Sequence, residues 1–206
     1  MKSNALENFR RVSEDHWFMR LRVWLIAISI FAVAVQRSSA ADLSAVLTQT
    51  ALTLNSVSVG NVVDDRAKLS VTAFMQAIGP PTRVRGDGRT QRFTWDDEGI
   101  QLEALVPEST PFAILFEFAD PDSTDQAVRP SRRYRGTFNC LRIRLTAGQR
   151  VDEQATSLSA AGFKKDSGSA SGQVWSLRLE HWAVFLQFSA SGTIDSAVIR
   201  VLPDIY

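Results

Sequence analysis

Apolar and polar positions along the chain fall into two successive series that follow one plan. Residues 53–59 (TLNSVSV) and, at an offset near 84 residues, 137–143 (TFNCLRI) alternate apolar with polar side chains, the period of a half-buried strand. Past Ser70 the period lengthens. Val71, Phe74, Met75 and Ile78 recur at i, i+3, i+4 and i+7, Ser70 is placed to cap a helix, and Gly79-Pro80-Pro81 stops it. The counterpart helix holds Val151, Ala155 and Leu158 on one face and ends at Ala161-Gly162, 83 residues after Ile78-Gly79.

Each helix leads into three predicted strands: 92–95, 100–105 and 112–118 in the first series, then 173–179, 183–188 and 194–201 in the second. Strands this close in sequence pair as antiparallel meanders. The pattern therefore predicts an α+β protein built by internal duplication. It would have two tandem strand-helix-three-strand units, 41–118 and 136–206, with antiparallel sheets and the helices packed on one face. Between them, 119–135 (ADPDSTDQAVRPSRRYR) has no apolar period and reads as a linker, and 166–172 (DSGSASG) reads as a surface loop.

The front of the chain changes the compartment. Met19-Arg20-Leu21-Arg22, the apolar run 23–35 (VWLIAISIFAVAV) and Ser38-Ser39-Ala40-Ala41 have the three-part layout of a secretory signal peptide, 19–40. As a helix, that run spans about 20 Å against a hydrocarbon core of roughly 30 Å, so contact with the membrane is expected only in transit. Residues 1–18 are polar and unlike a signal start, and read as a mis-assigned or disordered extension ahead of a start at Met19. Cleavage after Ala40 would remove six of the 23 Lys and Arg and three of the 22 acids, leaving 17 against 19 and a net charge of −2. A near-neutral exported domain has no global pull toward nucleic acid. Cys140 is the single cysteine, which excludes an intramolecular disulfide and a cysteine zinc site.

Candidate chemistry is sparse. The stretch 93–105, FTWDDEGIQLEAL, sets Asp96, Asp97 and Glu98 in a row, but a calcium loop spaces its carboxylates at alternate positions and uses more of them. Phe93 and Trp95 on the way in, and Ile100, Leu102 and Ala104 on the way out, make the acids the tip of a hairpin, with Gly99 available for positive φ. His181 is the single histidine after residue 40, so a multi-histidine metal site is excluded there, and with Glu180 it reads as a surface pair. Gly168-Ser169-Ala170-Ser171-Gly172 has Ala170 where a nucleophile elbow needs serine. Cys140 reads as a buried thiol. No phosphate loop or dinucleotide fingerprint occurs, and no cofactor is expected.

Arginines are more suggestive. Arg129, Arg132, Arg133 and Arg135 crowd around Tyr134, with Arg142 and Arg144 on the polar face of the next strand. Guanidinium forks bind carboxylates and phosphates, and an adjacent tyrosine is a common interface anchor. Trp175 is matched with Trp95 as a sheet residue, while Trp182 at a predicted turn is expected to be exposed as a contact.

The helix stop Ile78-Gly79-Pro80-Pro81 followed by Phe93-Thr94-Trp95-Asp96-Asp97-Glu98-Gly99-Ile100 resembles uncharacterised bacterial exported domains with an "LG-x-P" helix end and a "WDD-x-GI" hairpin. The likeness covers mainly the first half, and Glu98 stands where that motif has an apolar residue. In architecture, tandem strand-helix-meander units are similar to exported β-lactamase inhibitory and periplasmic immunity-type proteins and to small outer-membrane assembly modules. That resemblance implies a sheet face that clamps a protein partner. The expectation is an exported, non-enzymatic inhibitor or immunity protein acting on a toxin or hydrolase in the periplasm, touching it through Arg132, Arg133, Tyr134, Arg135 and Trp182. The alternatives are an envelope assembly module, and a hydrolase or metal enzyme using Asp96, Asp97, Glu98 or His181.

Overall fold

The computed structural model describes residues 43–106, 110–121, 128–166 and 172–202. The expected signal peptide, the extension before it, residues 122–127 of the linker and 167–171 of the Ser/Gly loop lie outside these. The strands are β1 (Ser44–Leu47), β2 (Ala51–Leu54), β3 (Val57–Val63), β4 (Arg66–Leu69), β5 (Arg83–Gly86), β6 (Thr90–Trp95), β7 (Ile100–Leu105), β8 (Thr110–Glu117), β9 (Thr137–Cys140), β10 (Ile143–Leu145), β11 (Lys164–Asp166), β12 (Gly172–Arg178), β13 (Trp182–Ser189) and β14 (Ile194–Val201). Helix α1 (Val71–Ile78) follows β4, and α2 (Val151–Ala160) follows β10.

Both helices form where their periodicity places them. Ser70 accepts from the Ala73 N–H at 3.2 Å and opens α1, and the Gly79 N–H donates to Met75 O at 2.9 Å and closes it. The alternating stretches 53–59 and 137–143 are not single strands. Asn55 (φ 50) and Ser56 (φ 66) turn the chain between β2 and β3, and Leu141 (φ 54) turns it between β9 and β10. Two consecutive residues at positive φ make a tight hairpin, whose strands continue the same in-out alternation, so a sequence window reads straight through the turn.

Two sheets result. One runs β10-β9-β1-β2-β3-β4, with β1 parallel to β9 and every other neighbour antiparallel. The other runs β11-β12-β13-β14-β8-β7-β6-β5 and is antiparallel throughout. Val84, Phe93, Leu102 and Ile114 line up across β5 to β8, as Lys165, Trp175, Leu186 and Ala197 do across β11 to β14. On that correspondence Leu115 matches Val198, and these two residues pair directly where β8 meets β14. The two meanders are thus related by a local two-fold relation through the Leu115–Val198 pair. Trp175 stands in the place of Phe93, and Leu177 in that of Trp95, so the match of Trp175 with Trp95 is displaced by two residues.

The α+β expectation is corrected: 53% of the described residues are strand and 12% helix, so the protein is mostly β, with two short helices in place of a helical layer. The missing strands explain the error. β5 and β11 are the outer strands of the eight-stranded sheet, and their sequences, RVRG and KKD, are mostly or wholly exposed and carry no apolar alternation. Charged, short edges discourage further pairing, and for that reason give no periodic signal. Each helix is therefore followed by four strands, and strands from both ends of the chain share each sheet.

One core lies between the sheets. Phe116 of β8 stacks on Phe138 of β9 at 5.2 Å and meets the Tyr134 ring edge-on at 5.1 Å. Trp182 of β13 is buried and donates its indole N–H to Gln49 O at 3.2 Å. Phe74 of α1 packs on Trp95 at 5.8 Å. Because Phe116 touches both layers and is fully buried, Phe116→Ala is expected to cost about 3–5 kcal/mol, measured as a fall in urea midpoint at unchanged m-value.

Candidate functional site

Asp96 to Gly99 form the four-residue turn between β6 and β7, whose last pair is Trp95 with Ile100. Asp96 is consumed by structure. Its carboxylate takes a two-pronged grip from Arg83, Nε to Oδ2 and Nη2 to Oδ1, both at 2.7 Å. It also accepts from Thr82 Oγ1 at 2.9 Å and the Ser131 N–H at 2.7 Å. Arg83 Nη2 donates to Arg129 O at 2.8 Å as well, so one ion pair fastens the segment after residue 128 to the hairpin tip. Burial alone would raise the Asp96 pKa, but these donors hold it below the ordinary carboxylate value.

Asp97 is half exposed and meets Arg132 at 3.5 Å. Glu98 differs from both. Its Oε2 is buried with no partner among the described residues, and burial, then the Asp97 charge, raises its pKa. The last residue of the turn, Gly99, has φ +67, and a Cβ there would lie 2.1 Å from Tyr134 N, so the close approach of the linker requires glycine. Among the described residues no three His, Cys, Asp or Glu side chains gather as a metal site needs.

The aromatic contact residues are corrected by burial. Tyr134 is 0% exposed, because its ring fills the space between Phe116 and Phe118 and its hydroxyl reaches Leu43 O and Thr137 O, both at 3.1 Å. Burial pushes that hydroxyl's pKa well up. Trp182 is likewise 0% exposed. Neither ring can meet a partner from the folded state. A short Arg-rich segment gives no periodic sign that one member turns inward. Arg132, Arg133 and Arg135 are exposed, with Arg133 3.7 Å from Asp120. Cys140 is fully buried in β9, and burial raises its thiol to about 12, which leaves it protonated and unreactive at neutral pH. His181 has Glu180 as its charged neighbour, at 3.8 Å.

Sequence reasoning missed the outer face of the eight-stranded sheet. Phe185, Val198 and Leu115 sit side by side on β13, β14 and β8, each half buried, while their chain neighbours Leu186, Ala197 and Ile114 point into the core. Arg200 lies 5.7 Å over the Phe185 ring. Glu117, on the same face two residues from Leu115, receives Arg129 at 3.2 Å, which brings the linker arginines alongside. Within FAILFEF, AVFLQF and AVIRV these three read as core; the intervening Glu117, Gln187 and Arg200 hint that one side faces outward.

No family model matches the chain. No curated protein matches it either. Among solved structures it is similar to the crystal structure of a DUF4309 family protein (YjgB) from Bacillus subtilis subsp. subtilis str. 168, at 12% identity over 66% of this chain and 80% of that one. The TM-score is 0.38, and a likeness of that degree carries no argument about this chain.

Three variants test the turn. Asp96→Ala is expected to lose about 2–3 kcal/mol at neutral pH, and Asp97→Ala under about 0.5 kcal/mol. Because the folded-state pKa of Asp96 is depressed, its contribution is complete above the unfolded value of about 3.9 and fades as pH falls through the folded value. Denaturation of Asp96→Ala and wild type should therefore converge in acid. Glu98→Gln should act oppositely. The raised pKa means that ionisation costs stability as pH rises through it, so the amide is expected to melt about 1–3 °C higher at pH 7, with the gap closing below about pH 4.

Proposed function

We propose that the protein is an exported, non-enzymatic module that binds another protein, in the form of an inhibitor or immunity protein acting on a toxin or hydrolase in the periplasm. The observation that carries this is the outer face of the eight-stranded sheet. Its centre is the half-buried trio Phe185, Val198 and Leu115, and its surroundings are polar, with the Arg129–Glu117 pair beside Leu115 and Arg200 over the aromatic ring. An apolar patch with a polar rim and an arginine-aromatic pair is the composition of a protein contact surface.

The reactive groups support the non-enzymatic part. Asp96 is saturated by structural donors, and Cys140 is a protonated core thiol. Arg132, Arg133 and Arg135 remain as rim contacts, and Tyr134 and Trp182 leave the interface as core residues.

A photo-crosslinking side chain at position 198 is expected to capture one protein in equimolar amount from the native envelope, and one at position 158, in the core on α2, to capture none. The captured protein, once purified, should lose its toxic or hydrolytic activity on addition of equimolar wild type. Phe185→Ala and Val198→Glu should weaken that inhibition by about tenfold or more. A captured protein whose activity is indifferent to the wild type would sink the inhibitor reading.

A further inference from the structure

A concavity lies where β10 ends the six-stranded sheet beside α2. Its volume is about 400 Å³, the size of a small-molecule site. Arg144 lies between the buried Ile143 and Leu145 of β10, so its side chain leaves on the outer side of the strand, and Arg142, exposed in the turn before β10, lines the concavity beside it. Gln154 and Ser157 face them from α2 at i, i+3 spacing, and Thr146 and Gln149 close the connecting loop. Gln149 Oε1 accepts from the Thr146 N–H at 3.1 Å, which fixes that side-chain amide.

Unlike six other arginines, the two at this concavity have no acid against them among the described residues. Arg83, Arg92, Arg129, Arg132, Arg133 and Arg150 each meet a carboxylate within 4.0 Å. Arg142 and Arg144 meet none among the described residues, and no carboxylate is among the described residues that line the concavity. Two unopposed guanidinium forks attract an oxyanion, and the hydroxyls and amides opposite them suit a ligand that also carries hydroxyl groups.

We propose that the concavity formed by Arg142, Arg144, Thr146, Gln149, Gln154 and Ser157 is a binding site for a small anionic saccharide, the phosphate or carboxylate lying between the two arginines and the sugar hydroxyls against α2. The site is independent of the apolar sheet face and goes beyond the protein-binding function.

Titration calorimetry with four probes tests it: glucose 6-phosphate, glucuronate, inorganic phosphate and glucose. Glucose 6-phosphate or glucuronate is expected to bind, more tightly than inorganic phosphate and far more tightly than glucose. The affinity should weaken as salt is raised and fall about tenfold or more in Arg142→Ala/Arg144→Ala. Both side chains are exposed, so that variant should keep the wild-type melting temperature. Arg178→Ala, an exposed arginine on β12, should bind as the wild type does. Equal affinity for glucose, equal affinity for inorganic phosphate, unchanged binding by the double variant, an equal loss in Arg178→Ala, or no binding by any probe would each overturn the assignment.

Discussion

Pairing of β8 with β14 turns two four-stranded meanders into one eight-stranded sheet, and the other features of the fold are arranged around it. The Leu115–Val198 pair lies at the centre of that join, with Ile114 against Ile199 and Phe116 against Ala197 on either side. Those four side chains face inward and supply the middle of the core, so the hydrogen-bonded seam and the buried layer stabilise the same two strands. The parallel pairing of β1 with β9 is a second seam, in the opposite sheet. Strands from both halves of the chain therefore meet in each sheet. Both sheets cross the boundary drawn at 119–135.

The linker joins this scheme as a structural element. It gives Tyr134 to the core, the Ser131 N–H to Asp96 and Arg129 to the buried Glu117. A buried carboxylate is costly unless paired, and Glu117 is 1% exposed, so Arg129 is needed where it stands. The same logic distinguishes the three acids of the hairpin. Asp96 has four donors, Asp97 sits in solvent beside an exposed arginine, and Glu98 is left partly buried with its Oε2 unpartnered among the described residues. Adjacent identical charges thus contribute stability, almost nothing, and a cost, according to which way each side chain leaves the turn.

Function follows from what this packing leaves over. Among the described residues Asp96, Glu117, Tyr134 and Cys140 are spent on holding the fold, and two features stand apart from that packing: an apolar patch on the outer sheet face, and a pair of arginines without acids at the edge of the other sheet. The first suits a macromolecular surface and the second a small anion. They lie on different sheets, so one can be disabled by mutation without touching the other.

Local patterning by itself determined both helices and the Ser70 cap of α1, the six long strands, the hairpin at Asp96 to Gly99 and the buried state of Cys140, because these depend on periods and turn residues within a dozen positions. Tertiary structure alone decided the fold class, since β5 and β11 become strands only by pairing with a longer neighbour. It also decided the place of Tyr134 and Trp182. An aromatic ring beside arginines or at a turn has no local signal of burial, and both point inward because the opposing sheet offers Phe116, Phe118 and the Gln49 carbonyl. The pairing of Leu115 with Val198 joins positions 83 apart, a contact that no local period records.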